Sequence, residues 1–133
     1  MKQSIKTLLI LGGVLVLFSF IQQPKTWDVP AEYKSKPNPV KKTEKVMALG
    51  KSKYNQVCAG CHGVTGDGHG VKVKNRNIVP VNLISPEVIN QTDGEHFFKI
   101  KYGRGVGTLH SFKGSLDDEE IWAIIHYTKS LAK

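Results

Sequence analysis

Val57-Cys58-Ala59-Gly60-Cys61-His62-Gly63 holds the chemistry of this 133-residue chain in seven positions. C-x-x-C-H is the attachment signal for c-type haem. Each thiol adds across one vinyl group of the porphyrin, and two intervening residues let both sulfurs reach the same edge. The histidine that follows offers its imidazole to the iron from the proximal side. The chain has two cysteines in all. Random placement gives this arrangement roughly once in 1,700 shufflings, so coincidence is a poor explanation. A thioredoxin-like dithiol asks for a βαβ context that is missing, and a zinc site asks for a second ligand pair. A plain disulfide suits an exported protein, but this spacing points elsewhere. The expectation is one covalent haem c, with Cys58 and Cys61 as its anchors and His62 as the proximal iron ligand.

Working outward from the motif, Gly50 to Val57 leads into it as a short helix, with Gly50 and Tyr54 one turn apart on one face. A second helix is expected over Gly94 to Lys101. A third closes the chain: Ser115 or Asp117 is its cap, and the acids Asp117 to Glu120 fill its first turn. Its apolar residues Ile121, Ile124, Ile125 and Leu131 recur at helical spacing, with Trp122 and Tyr127 beside them and Lys129 and Lys133 at the favourable end. Glycine-rich loops join these pieces. The region from Leu49 onward is small for a self-sufficient core, and a covalent cofactor supplies the missing buried contacts.

Two different segments precede this domain. Residues 22–48 carry four prolines (Pro24, Pro30, Pro37 and Pro39) among many lysines and read as an extended tether. Trp27 and Tyr33 interrupt it, either packing it on the domain or lying at a membrane interface. Residues 1–21 read as a targeting segment, with Lys2 and Lys6 ahead of an apolar run from Leu8 to Ile21. That run is shorter than the roughly 20 residues of a comfortable bilayer span and suits the h-region of a secretory signal. The expectation is a cleaved export signal; an uncleaved membrane anchor is the alternative.

Over its last part the chain resembles the class I, monohaem cytochrome c family. The residues that carry the resemblance are GKSKYNQVCAGCHG, the loop GDGHG, the segment VPVNL and the end YGRGVGTLHSFKGSLDDEEIWAIIHYTKSL. It implies an all-α cytochrome c fold, three to four helices around one haem. It implies that the first and last helices meet at Gly50 and Tyr127. It also implies a proline carbonyl as hydrogen-bond partner of the proximal imidazole, which falls to Pro80. The sequence departs from the family at the sixth iron ligand. Aligning Phe112 with the family's loop aromatic puts Leu109 at the usual methionine position, and leucine cannot bind iron. Met1 and Met47 are the only methionines. His110, in the same loop, is the candidate sixth ligand; the alternative is an open site. His69 stands too near the motif, and His96 and His126 fall on helices as solvated residues.

The formal net charge is +8. Lys72, Lys74, Arg76, Lys99, Lys101, Arg104 and Lys113 carry it within the domain. By resemblance several of these surround the haem edge, where they would steer the protein to acidic partners; the alternative is an ordinary solvated surface. The expected function is single-electron transfer outside the cytoplasmic membrane or in the periplasm, with no catalysis of its own. The expected partners are a quinol-oxidising complex and a terminal oxidase or reductase, and nucleic acid is a poor one. A haem sensor or peroxide-handling protein would follow from an open sixth site, and a fixed subunit of a larger membrane enzyme from an uncleaved N-terminus.

Overall fold

The computed structural model describes residues 27–103 and 111–132. The targeting segment read over residues 1–21, His110, Leu109 and Lys133 lie outside them. Six α-helices are present among the described residues: α1 Ala31–Lys34, α2 Glu44–Val57, α3 Ala59–His62, α4 Pro86–Ile89, α5 Asp93–Tyr102 and α6 Asp118–Ser130. A single 3₁₀ turn spans Val71–Val73. Three of the six are single turns, so α2, α5 and α6 form the frame, in keeping with an all-α cytochrome c fold.

Local chemistry sets the ends of that frame. Asp117, not Ser115, caps α6: its carboxylate accepts from the Glu120 amide at 2.8 Å, while Glu120 Oε2 accepts from the Asp117 amide at 3.0 Å. Such reciprocal bonds satisfy two amides that a helix start leaves orphaned. Thr92 and Glu95 repeat the device at α5. Helix α2 starts at Glu44, well ahead of the expected Gly50, because Thr43 Oγ1 accepts from the Val46 amide at 3.3 Å and Val46 turns into the core.

Helices α2 and α6 cross closely. A methyl group at Gly50 would lie 2.1 Å from the Ala123 carbonyl oxygen and 3.0 Å from Tyr127 Cβ, so glycine alone permits the approach. The Tyr54 and Tyr127 rings meet beside it at 5.4 Å. Tyr54, Phe97, Leu116, Ile121, Trp122, Ile124 and Ile125 fill the core, and burying such side chains contributes about 1.5–3 kcal/mol each. Phe97 stacks on Trp122 at 4.2 Å and thereby joins α5 to α6.

From Val29 to Val40 the proline-rich segment is a strap packed on α5 and α6. Val29 is buried, and the Tyr33 ring lies 5.0 Å from Phe98 with its hydroxyl 3.1 Å from that of Tyr102. Asn38 Nδ2 donates to the Trp122 carbonyl at 3.2 Å. Lys36 stands 5.3 Å over the Phe97 ring. His126, expected to be solvated, donates from Nε2 to the Val40 carbonyl at 2.7 Å. Among the described residues no helix is long and apolar enough to cross a membrane.

Candidate functional site

The Cys58–His62 turn is built at the end of α2. The Cys58 amide continues the ladder to the Tyr54 carbonyl at 2.8 Å, and the His62 amide bonds the Cys58 carbonyl at 2.9 Å. Both cysteines are thus carried on one turn of helix, both are half-buried, and neither is in a disulfide. Burial and the nearby Cys61 push the Cys58 thiol up to about 12. A redox-active dithiol needs the opposite, a lowered pKa.

Past the motif the chain folds back on itself. The Gly68 amide donates to the His62 carbonyl at 2.8 Å, and the Gly70 amide to the Cys61 carbonyl at 3.0 Å. Gly70 passes so close that an added Cβ would sit 2.3 Å from the Gly60 oxygen. Tyr54 braces the same turn from below, donating its buried hydroxyl to the Gly63 carbonyl at 2.7 Å. Desolvation drives the pKa of that hydroxyl well above the tyrosine range and keeps it a donor.

His62 is buried, 8% exposed. Its Nδ1 lies 3.1 Å from the carbonyl oxygen of Val81. The structure gives this bond to Val81 and not, as expected, to Pro80. The Pro80 carbonyl instead lies against Gly68, 2.9 Å from where a Cβ would stand there, and the next carbonyl along reaches the imidazole. A carbonyl only accepts, so Nδ1 carries the proton and Nε2 is the basic nitrogen of the neutral ring. That is the tautomer an iron ligand requires, with its orientation fixed by the backbone.

The surroundings test whether a covalent haem suits these residues. The exposed large hydrophobic side chains among the described residues are Val57, Val64, Val71, Ile78, Val79 and Val81, all within one stretch that begins at the motif. An apolar collar left to water around two thiols and a ligand-ready imidazole is unfavourable unless an apolar group covers it. A cleft of about 360 Å³ adjoins it, walled by Val73, Ile78, Val79 and Pro80 with His69 and Lys74 at its polar side. The residues present fit a haem.

The remaining histidines have other duties. His69 is exposed, its ring 3.5 Å from Asp67; the backbone amide of His69, first of several causes, holds the Asp67 carboxyl below its ordinary range. His96, also expected to be solvated, turns inward to the Val88 carbonyl at 3.0 Å, and burial above all lowers it to about 4. Two site residues escaped the sequence reading. Val81 is a carbonyl contribution, to which side-chain identity is blind. Lys72 packs its methylene stem over Gly60, with Cδ 2.7 Å from a virtual Cβ there; nothing in the local sequence announces that contact.

Comparison with known proteins places this geometry. The family model described as cytochrome C oxidase, cbb3-type, subunit III matches residues 45–127. A search of curated proteins finds no matching relative. Among solved structures, a chain of a reducing HAO-like protein complex from Kuenenia stuttgartiensis is similar, with a TM-score of 0.62 and 26% identity over 71% of this chain. The similarity spans 47% of that chain, under half its length.

Proposed function

Since the chain belongs to the c-type cytochrome family whose model is described as cytochrome C oxidase, cbb3-type, subunit III, with haem c as its cofactor, we propose that it transfers single electrons between redox proteins outside the cytoplasmic membrane. Cys58 and Cys61 are its thioether anchors and His62 its proximal ligand. When bound, the haem supplies a one-electron iron couple. The observation that carries the proposal is the buried His62 imidazole, whose Nδ1 proton is committed to Val81 at 3.1 Å. Held by a backbone carbonyl, the ring keeps one orientation in both oxidation states, and little reorganisation opposes electron transfer. Tyr54 and Gly70 hold the attachment turn in place. The apolar collar keeps water from the site and so tunes the potential.

His110 is the proposed sixth ligand. Two histidines close the iron, lower the potential relative to histidine–methionine ligation and make the protein a carrier without turnover. The acceptors and donors are redox proteins with acidic faces, among them a quinol-oxidising complex and a terminal oxidase or reductase. The test is the optical and EPR spectrum of the holoprotein beside His110→Ala, with carbon monoxide added to each reduced form. A low-spin native iron indifferent to carbon monoxide, with a variant that binds it, is the expected result. Native protein that takes up carbon monoxide readily overturns the closed site and favours a sensor or peroxide chemistry.

A second reading has its own support. The matching family is described as an oxidase subunit, and the similar structure comes from a complex. The domain would then work as a fixed subunit of a larger redox enzyme. Mild detergent extraction decides between them: a carrier elutes at its own size, a subunit with its assembly.

A further inference from the structure

We propose that the electron-transfer partner docks on the loop of residues 71–82, centred on Val71 and Lys72, and that it presents an apolar patch rimmed with carboxylates. This rests on the electron-transfer reading above and names the surface that reading needs.

Three observations converge on this loop. Lys72 lies across the attachment turn itself: an added Cβ on Gly60, between the two cysteines, would be 2.7 Å from Lys72 Cδ and 2.9 Å from its Cε. Glycine at 60 lets the stem lie flat and holds the charged end at the cysteine edge of the site. Beside it the loop shows apolar side chains to solvent, Val71 at 80% and Val79 at 96% exposed. Third, the chain from Gly68 to Pro86 contains no aspartate or glutamate but carries Lys72, Lys74 and Arg76.

Charge balance elsewhere sharpens the contrast. Lys53, Lys101 and Lys129 are engaged by Glu120, Asp118 and Asp93. Among the described residues no ion pair engages Lys72, Lys74 or Arg76. A positive, acid-free rim around exposed valines steers an acidic partner and then dries against its apolar centre. Its nearness to the cysteine edge shortens the distance an electron travels.

The test uses the full-length holoprotein, with Lys72→Glu and with Lys45→Glu as control. Lys45 lies in the first turn of α2, about 20 Å along that helix from Cys58 at 1.5 Å per residue. The ferrous protein is mixed with hexacyanoferrate(III) at low ionic strength; one electron passes, hexacyanoferrate(II) forms, and no bond or proton moves. Lys72→Glu should slow this reaction roughly three- to ten-fold, speed oxidation by cationic tris(phenanthroline)cobalt(III), and converge with wild type at high salt. Lys45→Glu should change either rate by less than about two-fold. Equal effects of the two variants overturn the proposal.

A second readout needs no electron transfer. Redox-inert hexacyanochromate(III) should broaden the amide resonances of residues 71–76 in wild type and spare them in Lys72→Glu. Broadening centred on the strap or on α2 overturns the assignment. Failure to exchange electrons with either reagent strikes the electron-transfer reading, while the chromate map still tests the surface. Anionic lipid vesicles are the competing occupant: if Lys72→Glu alone weakens binding to them, the loop is a lipid site and the proposal fails.

Discussion

Substituting Gly50→Ala places one methyl group where α2 and α6 cross. The added carbon would stand 2.1 Å from the Ala123 carbonyl oxygen and 2.6 Å from its carbon, against the 3.0 Å below which real contacts essentially do not occur. The obstacle is helix backbone, so no side-chain rotation relieves it, and the two helices must part by about 1 Å. Parting them loosens Tyr54 on Tyr127 and the buried Ile121, Ile124 and Ile125 together. Overpacking against backbone costs about 3 kcal/mol at the upper end of the usual range. Alanine returns about 1 kcal/mol of helix propensity, leaving a net loss of about 2 kcal/mol. For a domain of this size that corresponds to a fall in Tm of roughly 10 °C. Guanidinium unfolding of the holoprotein, followed by far-UV circular dichroism, measures the loss directly. Ser52→Ala, exposed on the same helix, controls for propensity and should move stability by no more than about 0.5 kcal/mol. The sign decides the matter. If Gly50→Ala is as stable as wild type or more so, propensity has won, and the close crossing is not what glycine serves at this position.

Other sites give predictions of different kinds. His96 is lowered to about 4 from 6.5, so the unfolded chain binds the extra proton between those values; its stabilising neutral form is complete above pH 6.5 and lost as pH falls through 4. The span is worth about 3 kcal/mol at most, and His96→Gln, which keeps a donor for Val88, should flatten the urea-stability profile over that window relative to wild type; parallel profiles would refute it. Tyr54→Phe leaves the Gly63 carbonyl without its buried donor and should cost about 1–3 kcal/mol in the same unfolding assay, with haem attachment retained in the pyridine haemochrome spectrum. His126→Ala releases Val40 from α6, and amide exchange at Val40 and its neighbours should quicken while the α2 amides keep their protection. Replacing either Cys58 or Cys61 by serine leaves a single thioether, and the reduced haemochrome band should shift to longer wavelength as one vinyl group is restored.

What the sequence disclosed and what it withheld divide along a physical line. Chemistry that resides in side-chain identity was legible: two thiols at fixed spacing, an imidazole next to them, Thr92 with Glu95 and Asp117 with Glu120 as reciprocal caps. Chemistry that resides in the backbone was not. Proline at 80 says that the chain is extended near His62, yet whether its own carbonyl or that of Val81 meets the imidazole depends on a register the residues do not encode. The same holds for residues 27–43. Their prolines and lysines correctly exclude long helix, and a segment without helix and rich in lysine is easily taken for a loose tether. Its anchors are single groups spaced along it, Tyr33, Asn38 and the Val40 carbonyl, each meaningful only against a partner far along the chain. Proline favours such an arrangement, since a stiff chain loses less entropy when pinned at a few points. The lysines stay outside as their charge requires, and Lys36 lays its charge across the aromatic rings instead of burying it. Composition therefore reports how a segment is built, while its docking rests on the aromatic face that α5 and α6 present, a face that exists only after those helices have met through Phe97 and Trp122.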